Sequence, residues 1–460
     1  MPRRRPAAAV GQGPRSYHRT VPTPTADAPP SAATGLDVRP FRALVYREHD
    51  PARLARVSSP AYDLVTVGGR DRLAEADPHN IVRLILPHVD PVPGGRAASD
   101  RSSARAAAAN LRQWLADRVL VREDVAALWR YEMAAPGLPA TTGWLGAVRV
   151  PPAGSPAVLP HEDTFAPAVE GRRALLDETR TDLEPIVLAH DPEPEVAELT
   201  RHSGQGAPTL EVTDPDGVTH RLWRVTDRAV LQQLTTALGR TQAVIADGHH
   251  RFAAARAHQT TGGSTRCAVL AFLTPTGPGG LRVQAIHRVV PDLSLPAAVE
   301  AAATGLTARD VTPADGELAE VCRRWARGAD GTAETGRGPV FLVTDGTRVV
   351  ELSIPTAALR ATVPTEAPTA WRELDVVLAH HGLLSHLWHR ADDPTSVLVA
   401  HDVDQALRLA GERSGVALLL RSPAPADVAA VARSGARMPR KSTLFVPKPR
   451  TGLVLRPHED

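Results

Sequence analysis

Apolar residues fall along this chain in short runs broken by proline, glycine and charged clusters, and their spacing switches between the two-residue period of strands and the 3.6-residue period of helices. The run 243–246, AVIA, predicts a buried strand, Asp247 and Gly248 a hinge, and His249, His250 and Arg251 the opening of a helix. Further strands are expected over 143–150, 185–190, 268–273 and 281–290, the last with Leu281, Val283, Ala285 and His287 on one face. In 80–87, NIVRLILP, alternation places Ile81, Arg83 and Ile85 on one face of a strand, which makes Arg83 an edge residue or a functional donor. Helical spacing is plain over 102–120; a second helix should carry Arg172 and Arg173, and a third spans 425–434 with Pro425 suited to its first turn. Asp345, Gly346 and Thr347 predict a hairpin between 340–344 and 348–354.

No internal repeat is visible, and the alternation of strands and helices predicts an α/β or mixed α+β chain. Residues 1–36, rich in Pro, Ala, Thr, Arg and Gly without apolar periodicity, have the composition of a disordered tail. Residues 37–455 are expected to form one catalytic or nucleotide-binding unit, with any subdivision near 295.

Composition narrows the classes. The 53 basic and 51 acidic residues nearly cancel and aromatics make up only 4%, so outside the N-terminal tail the basic stripe with stacking rings expected of a nucleic-acid binder is missing. Apolar runs are too short to span a membrane, and Cys267 and Cys322 match no zinc or redox spacing, which fits a reducing cytoplasm. Arginine replaces lysine almost everywhere. The two lysines, Lys441 and Lys448, both stand in the segment 438–452, MPRKSTLFVPKPRTG. An ammonium is a compact point charge where a guanidinium is broad and flat, so two lysines kept in one segment mark positions where that difference matters.

A strand that turns directly into a helix leaves the first helical N–H groups unpaired and exposes the positive end of the dipole, which is a socket for an anion. Gly248 lets a ligand approach the backbone, and Arg251 can offer a two-pronged donor to phosphate. His250 and Asp247 can hold protons or metal-bound water near neutral pH. Asp before a helix is also a common N-cap, and His287 at the end of an apolar row can equally be a core residue.

Seven segments, PFRALVY at Pro40, SPAYDLV at Ser59, DPHNIVRLILP at Asp77, LPHEDTF at Leu159, IADGHHRF at Ile245, IHRVV at Ile286 and MPRKSTLFVPK at Met438, resemble domain of unknown function 1015 over about 38–455. DGHHR also resembles the phosphate-binding turn of the ParB and sulfiredoxin superfamily, which includes kinases of free L-serine. That resemblance implies a strand–turn–helix core of ParB/sulfiredoxin type, with added helices and a C-terminal α/β region. It also implies a phosphate and metal site at Asp247, Gly248, His249, His250 and Arg251. Sulfiredoxins place a cysteine where this chain has His249, and many members of the matched family carry a glutamate where it has Phe252, Ala253 and Ala254.

The expectation is a nucleotide-dependent kinase acting on a small hydroxylated metabolite, with ATP or ADP and Mg²⁺. Gly248 and the helix amides would cradle the phosphates; Arg251, Lys441, Ser442 and Thr443 would bond their oxygens. Asp63 or Glu162 would take the hydroxyl proton, and Asp247 would hold metal-bound water or orient His250. Arg83, His161, His287, Arg288 and Lys448 are secondary candidates. A metal-dependent phosphoesterase using Asp247, His249, His250 and His161, and a nucleotide sensor without turnover, are the alternatives.

Overall fold

The strand expected at 243–246 runs from Ala243 to Asp247 and lies second in a nine-stranded mixed sheet. The computed structural model describes residues 35–87, 100–262, 267–314, 316–327, 339–391, 393, 395–439 and 441–458. In the sheet, Ala243–Asp247 is parallel to Val158–Pro160 and antiparallel to Ile186–His190, which pairs in parallel with Ala268–Pro275. Antiparallel pairing then continues through Thr141–Arg149, Leu128–Ala134, Thr219–Val225 and Leu210–Thr213. Helix His249–Gly262 follows its strand after Gly248 alone, and helix Ala166–Thr179 follows Val158–Pro160 after a short loop. The fold is mixed α/β.

A second sheet of six strands, all antiparallel, occupies the C-terminal half: Thr307–Asp310, Val349–Ser353, Val340–Thr344, Val416–Leu419, His287–Val290 and Leu398–Ala400. The 340–354 hairpin expected around Gly346 is part of it. One apolar cluster runs from Phe41 through Phe272 to Phe341 and Leu418, so the cores beneath the two sheets are continuous. Residues 33–460 form one compact unit.

Three expectations need correction. Residues 80–87 contain no strand but a short helix, Val82–Ile85. Ile81, Val82, Leu84 and Ile85 are all buried, so polar and apolar faces never alternate, and Asn80 accepts from the Val82 N–H while donating to the carbonyls of Arg56 and Ser58. Arg83 is therefore no edge residue of a strand; it ties this helix to the Ala74 carbonyl. The expected strand 281–290 breaks at Ile286 into Arg282–Ala285, which pairs with Thr443–Val446, and His287–Val290, which joins the six-stranded sheet. His287 therefore ends no row with Val283; it is buried and accepts from the Leu420 N–H. Arg288 is buried beside it and bonds the Ile286 carbonyl and His380 Nε2. The tail expected over 1–36 lies outside the described residues up to 34, but Leu36 is buried and its N–H donates to the Thr241 carbonyl.

Candidate anion-binding site

Gly248 sits between strand and helix with φ +92°, a region that costs an L side chain energy. A Cβ there would also lie 2.8 Å from Ile186 Cγ2, so both conformation and space require glycine. Helix His249–Gly262 starts at the next residue, and the first N–H groups of a helix have no acceptor within it.

Asp247 ends the strand and joins two cations. Its Oδ2 accepts from Arg251 Nη2 at 2.5 Å and its Oδ1 from Lys448 Nζ at 2.6 Å. Burial works against the carboxylate, but Arg251 and then Lys448 outweigh it and hold its pKa below the usual value. Lys448 also donates to Asp63 Oδ2, bringing together two aspartates 184 positions apart in sequence. Burial opposes the ammonium as well, and Asp247 with Asp63 overcomes it, raising the Lys448 pKa. Arg251 Nη1 lies 3.8 Å from Glu184 Oε2, and its guanidinium stands 5.5 Å from the Tyr62 ring centre. Arg172 covers the same ring at 3.9 Å. Glu184 is fixed in turn by the Tyr62 N–H and the Thr451 hydroxyl.

The histidines diverge. His249 is buried, meets His161 edge-on at 4.6 Å and accepts from the His161 N–H. His250 turns outward, stacks on Phe165 and accepts from its N–H. Burial pushes His161 down to about 4 and holds His249 well below its ordinary value, so both are neutral near pH 7. His250 is lowered by burial and then by Lys441. Among the described residues, no group of three or more His, Cys, Asp or Glu side chains is arranged to hold a metal ion.

The C-terminal strand Thr443–Val446 carries the remaining groups to this corner. Thr443 Oγ1 lies 3.1 Å from His161 Nε2 and donates to Glu162 Oε1 at 3.4 Å. Burial raises the Glu162 pKa, and Lys441 with Thr443 offsets part of the rise. Lys441 is exposed with φ +52°, whereas Ser442 is buried with its hydroxyl given to the Pro439 carbonyl.

Of the sequence candidates, the structure gathers Asp63, His161, Glu162, Asp247, Gly248, His249, His250, Arg251, Lys441, Thr443 and Lys448. Ser442 adjoins them but gives its hydroxyl to a carbonyl, and Arg83, His287 and Arg288 make hydrogen bonds within the fold. Sequence reasoning missed Tyr62, Arg172 and Glu184. Tyr62 stood inside a quoted segment beside Asp63, but nothing in its spacing foretold a ring between two arginines; Glu184 had no signal at all.

A family model described as "Protein of unknown function (DUF1015)" matches residues 38–377. The chain belongs to this family. The matched span stops short of the segment at Met438, so it is narrower than the 38–455 expected for the DUF1015 resemblance. No curated protein matches the sequence. Among solved structures, this DUF1015 protein is similar to a free serine kinase in complex with AMP, at 13% identity, 63% of this chain, 84% of the other and TM-score 0.29. It is also similar to SbnI from Staphylococcus aureus, truncated at its C-terminus (12%, 65% and 82%, TM-score 0.32), and to a conserved hypothetical protein from Pyrococcus furiosus (13%, 63% and 87%, TM-score 0.29). Likenesses this faint carry no weight for the chemistry. No helix among the described residues is long and apolar enough to cross a membrane.

Proposed function

We propose that this protein is a nucleotide-dependent phosphotransferase acting on a small hydroxylated metabolite. The observation that carries the reading is the corner at Gly248. There a glycine-only turn opens a 14-residue helix beside both lysines of the chain and three carboxylates, Asp63, Asp247 and Glu162. Phosphoryl transfer needs a cradle of N–H groups, positive charge on the oxygens in flight and a proton acceptor. The helix amides supply the first and Lys441 and Lys448 the second. Arg251, engaged with Asp247, stiffens the cradle from behind and adds its charge. Glu162 is the better base, because its raised pKa brings it nearer to a working pH than an ordinary carboxylate. Asp63, held by Lys448, is the second carboxylate on the acceptor side.

Mg²⁺ bound largely through nucleotide phosphates needs only one or two protein carboxylates, and Asp63, more than a third exposed, fits that demand. The ion would neutralise phosphate charge. Asp247 fits it less well, since both of its oxygens already meet cations. Free L-serine is the first acceptor to assay, on the resemblance of the DGHHR turn alone. A reducing cytoplasm suits the two free thiols, Cys267 and Cys322. The phosphoesterase reading asks His249 and His250 to share an ion, and they face different partners.

Phosphorus NMR of the protein with ATP or ADP, Mg²⁺ and a panel of hydroxy amino acids tests the proposal. A new phosphomonoester resonance is expected. Release of inorganic phosphate from added monoesters would support the esterase, and nucleotide binding without product the sensor. Arg251→Ala should abolish nucleotide binding; unchanged affinity would remove the cradle.

A further inference from the structure

The C-terminal sheet meets the strand that carries Thr443 at an exposed histidine, His401. His401 follows strand Leu398–Ala400 and precedes helix Val403–Glu412, whose N-cap is Asp402. Its backbone is pinned on both sides by side chains: Gln405 Oε1 accepts from the His401 N–H at 2.7 Å, and Gln284 Nε2 donates to the His401 carbonyl at 2.9 Å. Gln284 is the register partner of Leu444 in the strand that carries Thr443 to His161 and Glu162. The two lysines bracket that same strand. The backbone at 401 is thus fixed against the strand that builds the anion site, while the imidazole is left free of it and exposed.

Charges of the site reach this imidazole. Burial, then Lys441, lowers the His401 pKa; Lys448 adds to the effect, and Asp402 and Asp63 oppose it. A neutral imidazole keeps one N–H donor and is not repelled by the neighbouring ammonium groups.

We infer that His401 is a ligand-contacting residue of this site, donating a hydrogen bond to the phosphate oxyanion held by Lys441 and Lys448. The inference rests on the phosphate-binding reading above and adds a group that neither the turn nor the lysine segment contains. His401 lies outside every quoted segment and beyond the span of the family match.

Isothermal titration of the full-length protein with ADP and with inorganic triphosphate tests it, using the wild type, His401→Ala and His401→Gln. A hydrogen bond to a charged oxygen is lost in His401→Ala, so affinity for both ligands should fall about tenfold or more. His401→Gln retains an N–H donor and should recover most of the loss, with thermal unfolding midpoints matching across all three proteins. Wild-type affinity in His401→Ala overturns the inference and leaves the phosphate reading standing. Equal weakening in both variants also overturns it, because donation would not be the role. If the wild type binds neither ligand, the phosphate reading itself fails and takes this inference with it.

Discussion

Replacing Lys448 by methionine removes one charge, keeps the length of the stem and strikes the point where the two halves of the site meet. The ammonium is almost covered, at 7% exposure, and serves two carboxylates. Removing one partner of a buried ion pair costs roughly 3–5 kcal/mol, because the remaining charge is stranded. Here two features reduce the penalty: Asp63 is 39% exposed and can rehydrate, and Asp247 keeps Arg251 at 2.5 Å. The lower end, about 3 kcal/mol, is therefore expected. With a denaturant slope of at least about 3 kcal/mol per M for a chain larger than a small domain, the urea midpoint should fall by up to about 1 M.

Acid titration of the same variant separates charge from packing. Asp247 has a depressed folded pKa, so its contribution is present above the ordinary carboxylate value near 3.8 and disappears as pH falls through the depressed value. Lys448 has a raised pKa, so its share is complete below the ordinary lysine value near 10.5 and is lost only as pH rises through the raised one. In Lys448→Met the Asp247 pKa climbs, and acid unfolding should begin at higher pH than in the wild type. A variant with the wild-type urea midpoint and an unchanged acid limb would refute the ion network altogether.

Gly248→Ala should destabilise the fold by about 1–3 kcal/mol, from the positive φ and the approach to Ile186, and should weaken triphosphate binding because the turn must shift; urea melts and titration calorimetry measure both. Stability should decline as pH drops from about 6.5 to about 4, since unfolded His161 protonates across that interval while the folded residue stays neutral down to about 4. His161→Gln should flatten that decline by one proton in pH-dependent urea melts, and an identical slope would show that His161 is not buried neutral.

The strand, hinge and helix at 243–251 were legible because each local signal agreed with the others: an apolar run, a glycine where φ must be positive, polar residues at the helix opening. The segment 80–87 misled because alternation carries information only when one face meets water, and here both faces are buried. Leu281 to Val290 showed continuous strand character although the chain changes sheets at Ile286, and no local preference encodes which partner a strand will find. For the site, Asp63 was named from its segment, but its meeting with Asp247 depends on Lys448 arriving from the far end of the chain. Glu184 and Tyr62 escaped notice because a single Glu or Tyr without periodic neighbours leaves no trace in sequence; they matter through long-range bonds with each other and with Thr451.

The choice between lysine and arginine within three residues shows what the segment after Thr443 is built to do. Arg450, buried, spreads its guanidinium over neutral acceptors: Nε donates to Ser58 Oγ at 2.7 Å and Nη2 to the carbonyls of Ala55 and Ser58. That task demands a planar fork with several fixed donors. Its amide N–H meanwhile donates to Tyr131 Oη, whose ring lies in the core of the large sheet. Arg450 thus anchors the segment to the fold, and two residues earlier Lys448 gives a compact charge to two carboxylates, Asp63 and Asp247. In a chain that uses arginine for nearly every other cation, lysine at 448 stands where one nitrogen serves both Asp63 and Asp247. An incoming phosphate could then compete with the aspartates for a single rotatable ammonium without disturbing the guanidinium that holds the strand in place.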